Sequence, residues 1–357
     1  LILLKIIDVS GFGHSGKTAV SDLLREVKGV EAHDHSFEFG LIRYADGILD
    51  LQSNLVDNWS PIRSDRAIKR FRELCHKLAS GYSKHLNPFF LEISDKYIES
   101  LIDGRLFING WFDPLYDQQK LDINREILKK FGLLEIAKTF AKILRNKKVS
   151  YSKKTEVFLS IGSDFIFKTK KYLEEIFISN KSIKSEFILT NNMFEPFSPT
   201  SALDYFEDAY CIVVERDPRD IYASVINYDQ SFIPDFEENN KTYSKNYLKG
   251  LKEDMLGVMN VQSFITRQKV YYQMAISSMD DDRVVRIKYE DLVLSYESTV
   301  EYLFKRLKIH PKNHFRKNSC FDPNQSSKNV GLWRKLANTD EMRRIEKELE
   351  HLLYSSK

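Results

Sequence analysis

Near the start of the chain, Gly11-Phe12-Gly13-His14-Ser15-Gly16-Lys17-Thr18 fits the pattern G-x-x-x-x-G-K-[ST]. Such a segment can hold a phosphoryl group. Glycines let successive backbone N–H groups turn inward without Cβ clashes. A helix opening at the end of the loop adds free N–H donors and the positive end of its dipole. Lys17 brings a point charge and Thr18 a hydroxyl for an oxygen or a metal, while Gly13, His14, Ser15 and Gly16 complete the cradle. The plain alternative is a tight strand-to-helix turn with an accidental lysine.

A second set of anion-binding groups comes much later. An apolar strand pattern at 211–215 runs into Arg216-Asp217-Pro218-Arg219-Asp220-Ile221-Tyr222-Ala223-Ser224. Pro218 suits a turn or a first helical position. Ser224 follows Arg216 by two helical turns, so both can converge on one anion at the carboxyl edge of a sheet. The guanidinium offers bidentate donors and the hydroxyl a third. A surface turn with Arg–Asp pairs is the alternative. In Lys328-Asn329-Val330-Gly331-Leu332-Trp333-Arg334, Lys328 and Arg334 can meet a phosphate and Gly331 permits close backbone approach. Trp333 as core filler is an equal reading.

These groups need strands to hold them. Residues 2–10 read as a buried strand, and Thr18 onward to 27 as a helix. Further strand patterns fall at 29–33, 105–109, 186–190, 211–215 and 284–288, with helical patterns between most of them. Alternation of this kind predicts an α/β fold with a parallel sheet flanked by helices. Residues from about 60 to 180 are mostly helical in pattern, notably 123–144 and 158–178, and read as a large helical insertion or cap within one α/β domain over 1–357. Arg145, Lys147, Lys148 and Lys153 form a basic run there, either a solvated loop or a patch for an anionic acceptor. Near the end, Asn338 and Glu341 suit a capping box, and Met342, Ile345, Leu349, Leu352 and Leu353 share a helix face.

Composition narrows the classes. The 357 residues are 42% hydrophobic and 29% charged, as a soluble globular chain is. The net charge of +3 makes no case for nucleic-acid binding. Cys75, Cys211 and Cys320 have no metal-ligand spacing, which points to reduced thiols and a cytoplasmic setting. The opening apolar run is broken at Lys5, too soon for a signal peptide or a transmembrane segment. The chain opens on Leu1, which suggests a trimmed start with room for an upstream segment.

The order of these segments resembles the P-loop sulfotransferases that use 3′-phosphoadenosine-5′-phosphosulfate (PAPS). That family pairs an arginine at a strand end with a serine on the next helix, often within Arg-Asp-Pro-Arg-Asp, and Arg216 to Asp220 with Ser224 match. Tyr289-Glu290-Asp291-Leu292 resembles the family's Tyr-Glu-Asp-Leu element, taken as mainly structural, and 328–334 resembles the late Gly-x-Trp-[Lys/Arg] loop that closes over the nucleotide. The family's Arg-Lys-Gly is missing there; Ser326, Ser327 and Lys328 stand upstream of Gly331 instead. The resemblance covers the sheet and both nucleotide loops but not 60–180. It implies PAPS as co-substrate, 3′,5′-adenosine diphosphate (PAP) as product and no metal.

Many relatives carry a lysine where this chain has His14, so here Lys17 is expected to stabilise the leaving phosphate with His14 assisting. The polysaccharide-type relatives place a glutamate beside aromatics after the loop, and Phe37-Glu38-Phe39 fits. Glu38 is therefore the expected base, raised in pKa if buried beside those rings, with His33 and His35 as rivals. The acceptor is expected to be a sugar or glycan hydroxyl. Arg63 and Arg66, after Ser60-Pro61, can hold an anionic acceptor or merely cap a helix, and Asn191, Asn192 and Glu195 can line the acceptor cleft. The complete G-K-T loop also suits an ATP-dependent kinase of a nucleotide or small metabolite, for which Glu215 and Asp217 are the nearest Walker B candidates. A third reading is a nucleotide-binding module without turnover.

Overall fold

The computed structural model describes residues 5–34, 37–109, 154–178, 185–227, 261–275, 280–335 and 339–355. Strand β1 (Lys5–Gly11) lies at the centre of a five-stranded sheet of order β2-β5-β1-β6-β7. Its partners are β2 (Val30–Ala32), β5 (Phe187–Asn191), β6 (Asp208–Glu215) and β7 (Val284–Lys288), and every pairing is parallel. The α/β architecture expected from alternation is the one observed.

Both faces of β1 are buried, which explains its unbroken apolar run. Ile6 packs on one face with Ile188, Cys211 and Val213; Ile7 and Val9 pack on the other with Leu189, Ile212 and Val214. The first face is covered by α2 (Ile48–Gln52), α3 (Pro61–His85), α4 (Phe90–Leu101) and α5 (Phe165–Ile178). The second is covered by α1 (Lys17–Arg25), and by α8 (Tyr289–Leu294) and α9 (Tyr296–Arg306) near the end of the chain. A third cluster joins α6 (Pro218–Asn227), α7 (Val261–Ala275) and α10 (Thr339–Glu348), where Met342, Ile345, Leu349 and Leu352 meet Ile221, Tyr222 and Phe264. Each fully buried large apolar side chain contributes roughly 1.5–3 kcal/mol.

Two expectations change. The strand pattern at 105–109 is real but lies outside the parallel sheet: β3 (Gly104–Asn109) pairs antiparallel with β4 (Lys154–Leu159) as a separate hairpin. The helix expected from residue 158 starts only at Phe165. Phe158 belongs to β4, whose amide donates to Asp65 Oδ1 on α3 at 2.9 Å, and Gly162 with φ 67° breaks the chain before α5. Ser60 does cap α3, accepting from the Arg63 amide at 3.2 Å with Pro61 at the first position. The pattern at 123–144, the basic run from Arg145 to Lys153, Asn338 and His35 lie outside the described residues. Among the described residues, no helix is long and apolar enough to cross a membrane.

Candidate functional site

The loop between β1 and α1 takes two left-handed steps, at His14 (φ 63°) and Gly16 (φ 90°). Gly16 is required by position as well as by φ, because a Cβ there would lie 2.4 Å from the Tyr289 ring. Ser15 is fully buried, and its Oγ has no partner among the described residues. A buried hydroxyl without a partner is a group left over for a ligand.

Arg216 stands where β6 ends, beside this loop. Its Nη1 donates to the His14 carbonyl at 3.0 Å and to Ser224 Oγ at 3.2 Å, and its Nη2 donates to the Asn329 carbonyl at 2.6 Å. The guanidinium lies 5.0 Å from the Tyr289 ring centroid, and its Nε is buried without a partner among the described residues. The loop at 11–18, the Arg…Ser pair and the late segment thus meet at one side chain. Tyr289 also donates from its hydroxyl to the Ser326 carbonyl at 2.9 Å, so one ring touches all three segments.

Carboxylates set this half from below. Asp220, nearly fully buried on α6, accepts from the Gly331 amide at 2.7 Å and the Trp333 amide at 3.1 Å. Burial raises its pKa, against those two amides and Arg216. Gly331 takes φ 75°, which favours glycine. Trp333 is half-buried, with Arg219 4.3 Å and Arg334 5.2 Å from its ring centroid. Lys328 is exposed. Beneath them Glu290, 1% exposed, accepts from the Asp217 amide at 2.8 Å, and burial pushes its carboxyl up to about 7.

On the other side of Lys17 the contacts form a chain. Lys17 Nζ donates to Asn192 Oδ1 at 2.6 Å, and Asn192 Nδ2 donates to Glu38 Oε1 at 2.8 Å. Arg43, whose side chain is 5% exposed, donates from Nε to the Asn192 carbonyl at 2.7 Å. It also reaches Glu38 Oε2 at 3.4 Å and Glu195 Oε1 at 3.5 Å. Lys17, Thr18, Arg25, His33, Glu38 and Asn191 line one cleft of about 680 Å³ that opens to solvent. Three of its lining residues hold a buried polar atom without a partner among the described residues: Arg25 Nε, His33 Nε2 and Asn191 Oδ1. Burial, then the neighbouring His85, lowers the pKa of His33.

The expected residues therefore separate into groups. Gly13, His14, Ser15, Gly16 and Lys17 form the loop, Arg216 and Ser224 converge, and Gly331, Trp333 and Arg334 reach them through Asp220. His14 enters through its carbonyl, its side chain being exposed. Glu38 joins Lys17 through Asn192, and Asn191 lines the same cleft. Glu38 is less buried than expected: Phe37 and Phe39 point into the core, while its own side chain is 28% exposed and turns to Arg43. Arg63 and Arg66 are elsewhere. They line a separate cleft with Asp46, Asp50 and Arg70 that shares no lining residue with the first. Glu215 and Asp217 are engaged by Arg286 and Arg219. Asp8, Arg43 and Tyr289 were missed as site residues. An acid in an apolar strand was the one available signal for Asp8; Arg43 had none.

No protein-family profile matches the chain, and no curated protein matches it. Solved structures give distant likenesses. A sulfotransferase domain from the curacin biosynthetic pathway has a TM-score of 0.41 and 15% identity, over 99% of this chain and 100% of that one. A sulfotransferase from Mycobacterium avium has a TM-score of 0.38 and 11% identity, over 98% of this chain and 76% of that one. A retinol dehydratase solved with androsterone and the inactive cofactor PAP has a TM-score of 0.35 and 13% identity, over 100% and 83%. These are likenesses; the site above is built from this chain's own residues.

Proposed function

We propose that this chain is a sulfotransferase that moves a sulfuryl group from PAPS to a hydroxyl of a sugar or glycan. The meeting of three distant segments at Arg216 carries the reading. A nucleotide with phosphoryl groups at both its 5′ and 3′ positions needs two anion sites at one sheet edge. The loop amides, Ser15 and Lys17 suit the 5′ side. Arg216 and Ser224 suit the 3′ phosphate, with Lys328, Gly331, Trp333 and Arg334 closing over it.

In this reading, Lys17 offsets the charge that develops on the departing phosphate oxygen, and His14 assists at the loop. Glu38 takes the proton from the acceptor hydroxyl as that oxygen bonds to sulfur and the sulfur–phosphate oxygen bond breaks. The products are a sulfate ester and PAP. His33, held toward its neutral form, is the second candidate base. The unpartnered polar atoms of Arg25, His33 and Asn191 beside Glu38 suit an acceptor rich in hydroxyls.

Calorimetric binding of PAP against ATP, each with and without Mg²⁺, tests the reading. PAP is expected to bind tightly without metal, and Arg216→Ala to weaken it by about tenfold to a hundredfold, the range for hydrogen bonds to charged groups. Preference for Mg·ATP would replace this reading with phosphoryl transfer, which the complete G-K-T loop also fits.

A further inference from the structure

Resting on the proposed sulfuryl transfer, we infer that Asp8 is a positioning residue: it fixes the turn after β5 that holds Asn192 between Lys17 and Glu38. Asp8 sits in the middle of the central strand, opposite Thr190 on β5 and Cys211 on β6, and is fully buried. An apolar residue would be the default there, since Ile6 two positions earlier packs into the core. A buried carboxyl persists only with enough hydrogen-bond partners.

Asp8 has them. Oδ1 accepts from Thr190 Oγ1 at 2.8 Å and from the Met193 amide at 2.9 Å. Oδ2 accepts from the Phe194 amide at 3.1 Å and lies 2.6 Å from Ser10 Oγ. Ser10 Oγ is also 2.7 Å from the Phe194 carbonyl. One hydroxyl proton cannot serve both acceptors. A protonated Asp8 would donate to Ser10, leaving Ser10 to donate to Phe194, and burial does shift this carboxyl toward its protonated form. Met193 and Phe194 are fully buried, so an apolar residue at position 8 would strand two amides without water.

The turn so fixed has one distinctive residue. Asn192 takes φ 51°, a left-handed conformation asparagine tolerates, and its amide donates to the Val9 carbonyl at 3.2 Å. In this turn the two ends of its side chain face Lys17 and Glu38 together. Displacement by about 1 Å can cost a reacting geometry on the order of a hundredfold in rate.

The test combines turnover of Asp8→Asn, Asn192→Ala and the double variant with amide exchange in Asp8→Asn. Asparagine keeps an acceptor for Met193 and Thr190 but sets an N–H against the Phe194 amide. We expect kcat to fall about tenfold with PAP affinity within about twofold. The double variant should be no worse than Asn192→Ala alone. Exchange at Met193 and Phe194 should quicken while that in α6 does not. Unchanged kcat in Asp8→Asn, or losses that multiply in the double variant, would overturn the role. If Asp8→Asn does not fold, Ser10→Ala replaces it, because it loosens the same carboxyl and the same turn. If the wild type moves no sulfuryl group, the proposed function falls on its own. The exchange at Met193 and Phe194 then still decides whether Asp8 holds the turn.

Discussion

Around Arg216, the groups that hold the site come mainly from contiguous motifs: 11–18, 216–224, 289–290 and 328–334. Around Asn192 they come from Asp8, Lys17, Glu38, Arg43 and Glu195, scattered along the chain, and only Lys17 lies in one of those segments. In the proposed reading the first region grips fixed phosphates, and backbone amides with short-range Arg and Ser pairs suit that from local sequence. The second must hold a lysine and a carboxylate apart at a set distance, which takes a bridging amide and buried charges from several elements. Binding should therefore depend on the first region and turnover on the second.

The sharpest way to break that division is Lys17→Ala, for which kcat should fall by about 10²–10³-fold. PAP affinity measured by calorimetry should change by less than about tenfold. Equal collapse of both would mean that the halves are not separable. Glu38→Gln comes next. It keeps an oxygen for Asn192 and should cost about 10²-fold in kcat. Full activity would move the base to His33. Arg216→Ala should show the reverse pattern, with affinity lost first.

The last expected effect lies in the first region and concerns stability rather than turnover. Glu290 has its carboxyl near 7 in the folded chain, above its ordinary 4.5. The unfolded chain releases that proton first, so stability falls as pH rises from about 4.5 to about 7 and levels off above. Glu290→Gln should flatten that decline by up to ~3 kcal/mol in denaturant melts across the window. An unchanged slope would mean that the buried Glu290 carboxyl does not strain this half.

Sequence pattern carried the central sheet because buried parallel strands leave dense apolar runs, as in β1 and β6. It carried Arg216 and Ser224 because eight residues on one strand-turn-helix fix their approach. It missed β4 because Phe158 and Leu159 fall on the same apolar spacing as α5, and only Gly162 marks the break. It placed Arg63 and Arg66 near the acceptor because nothing local shows which cleft a helix start will face. Asp8 and Arg43 act through the turn after β5, a tertiary approach that no local spacing records.

The central position of β1 also bears on how the chain is made. Lys5 pairs with Phe187 on one side and Asp208 on the other, so β1 lacks both of its sheet partners until those residues follow it from the ribosome. At ~5–20 residues per second, that wait is ~10–40 s. Through it Ile6, Ile7 and Val9 have no strand beside them, an interval in which a chaperone that grips apolar segments would find them. The strand that leads into the loop at 11–18 is translated before either of its partners and completed only after them.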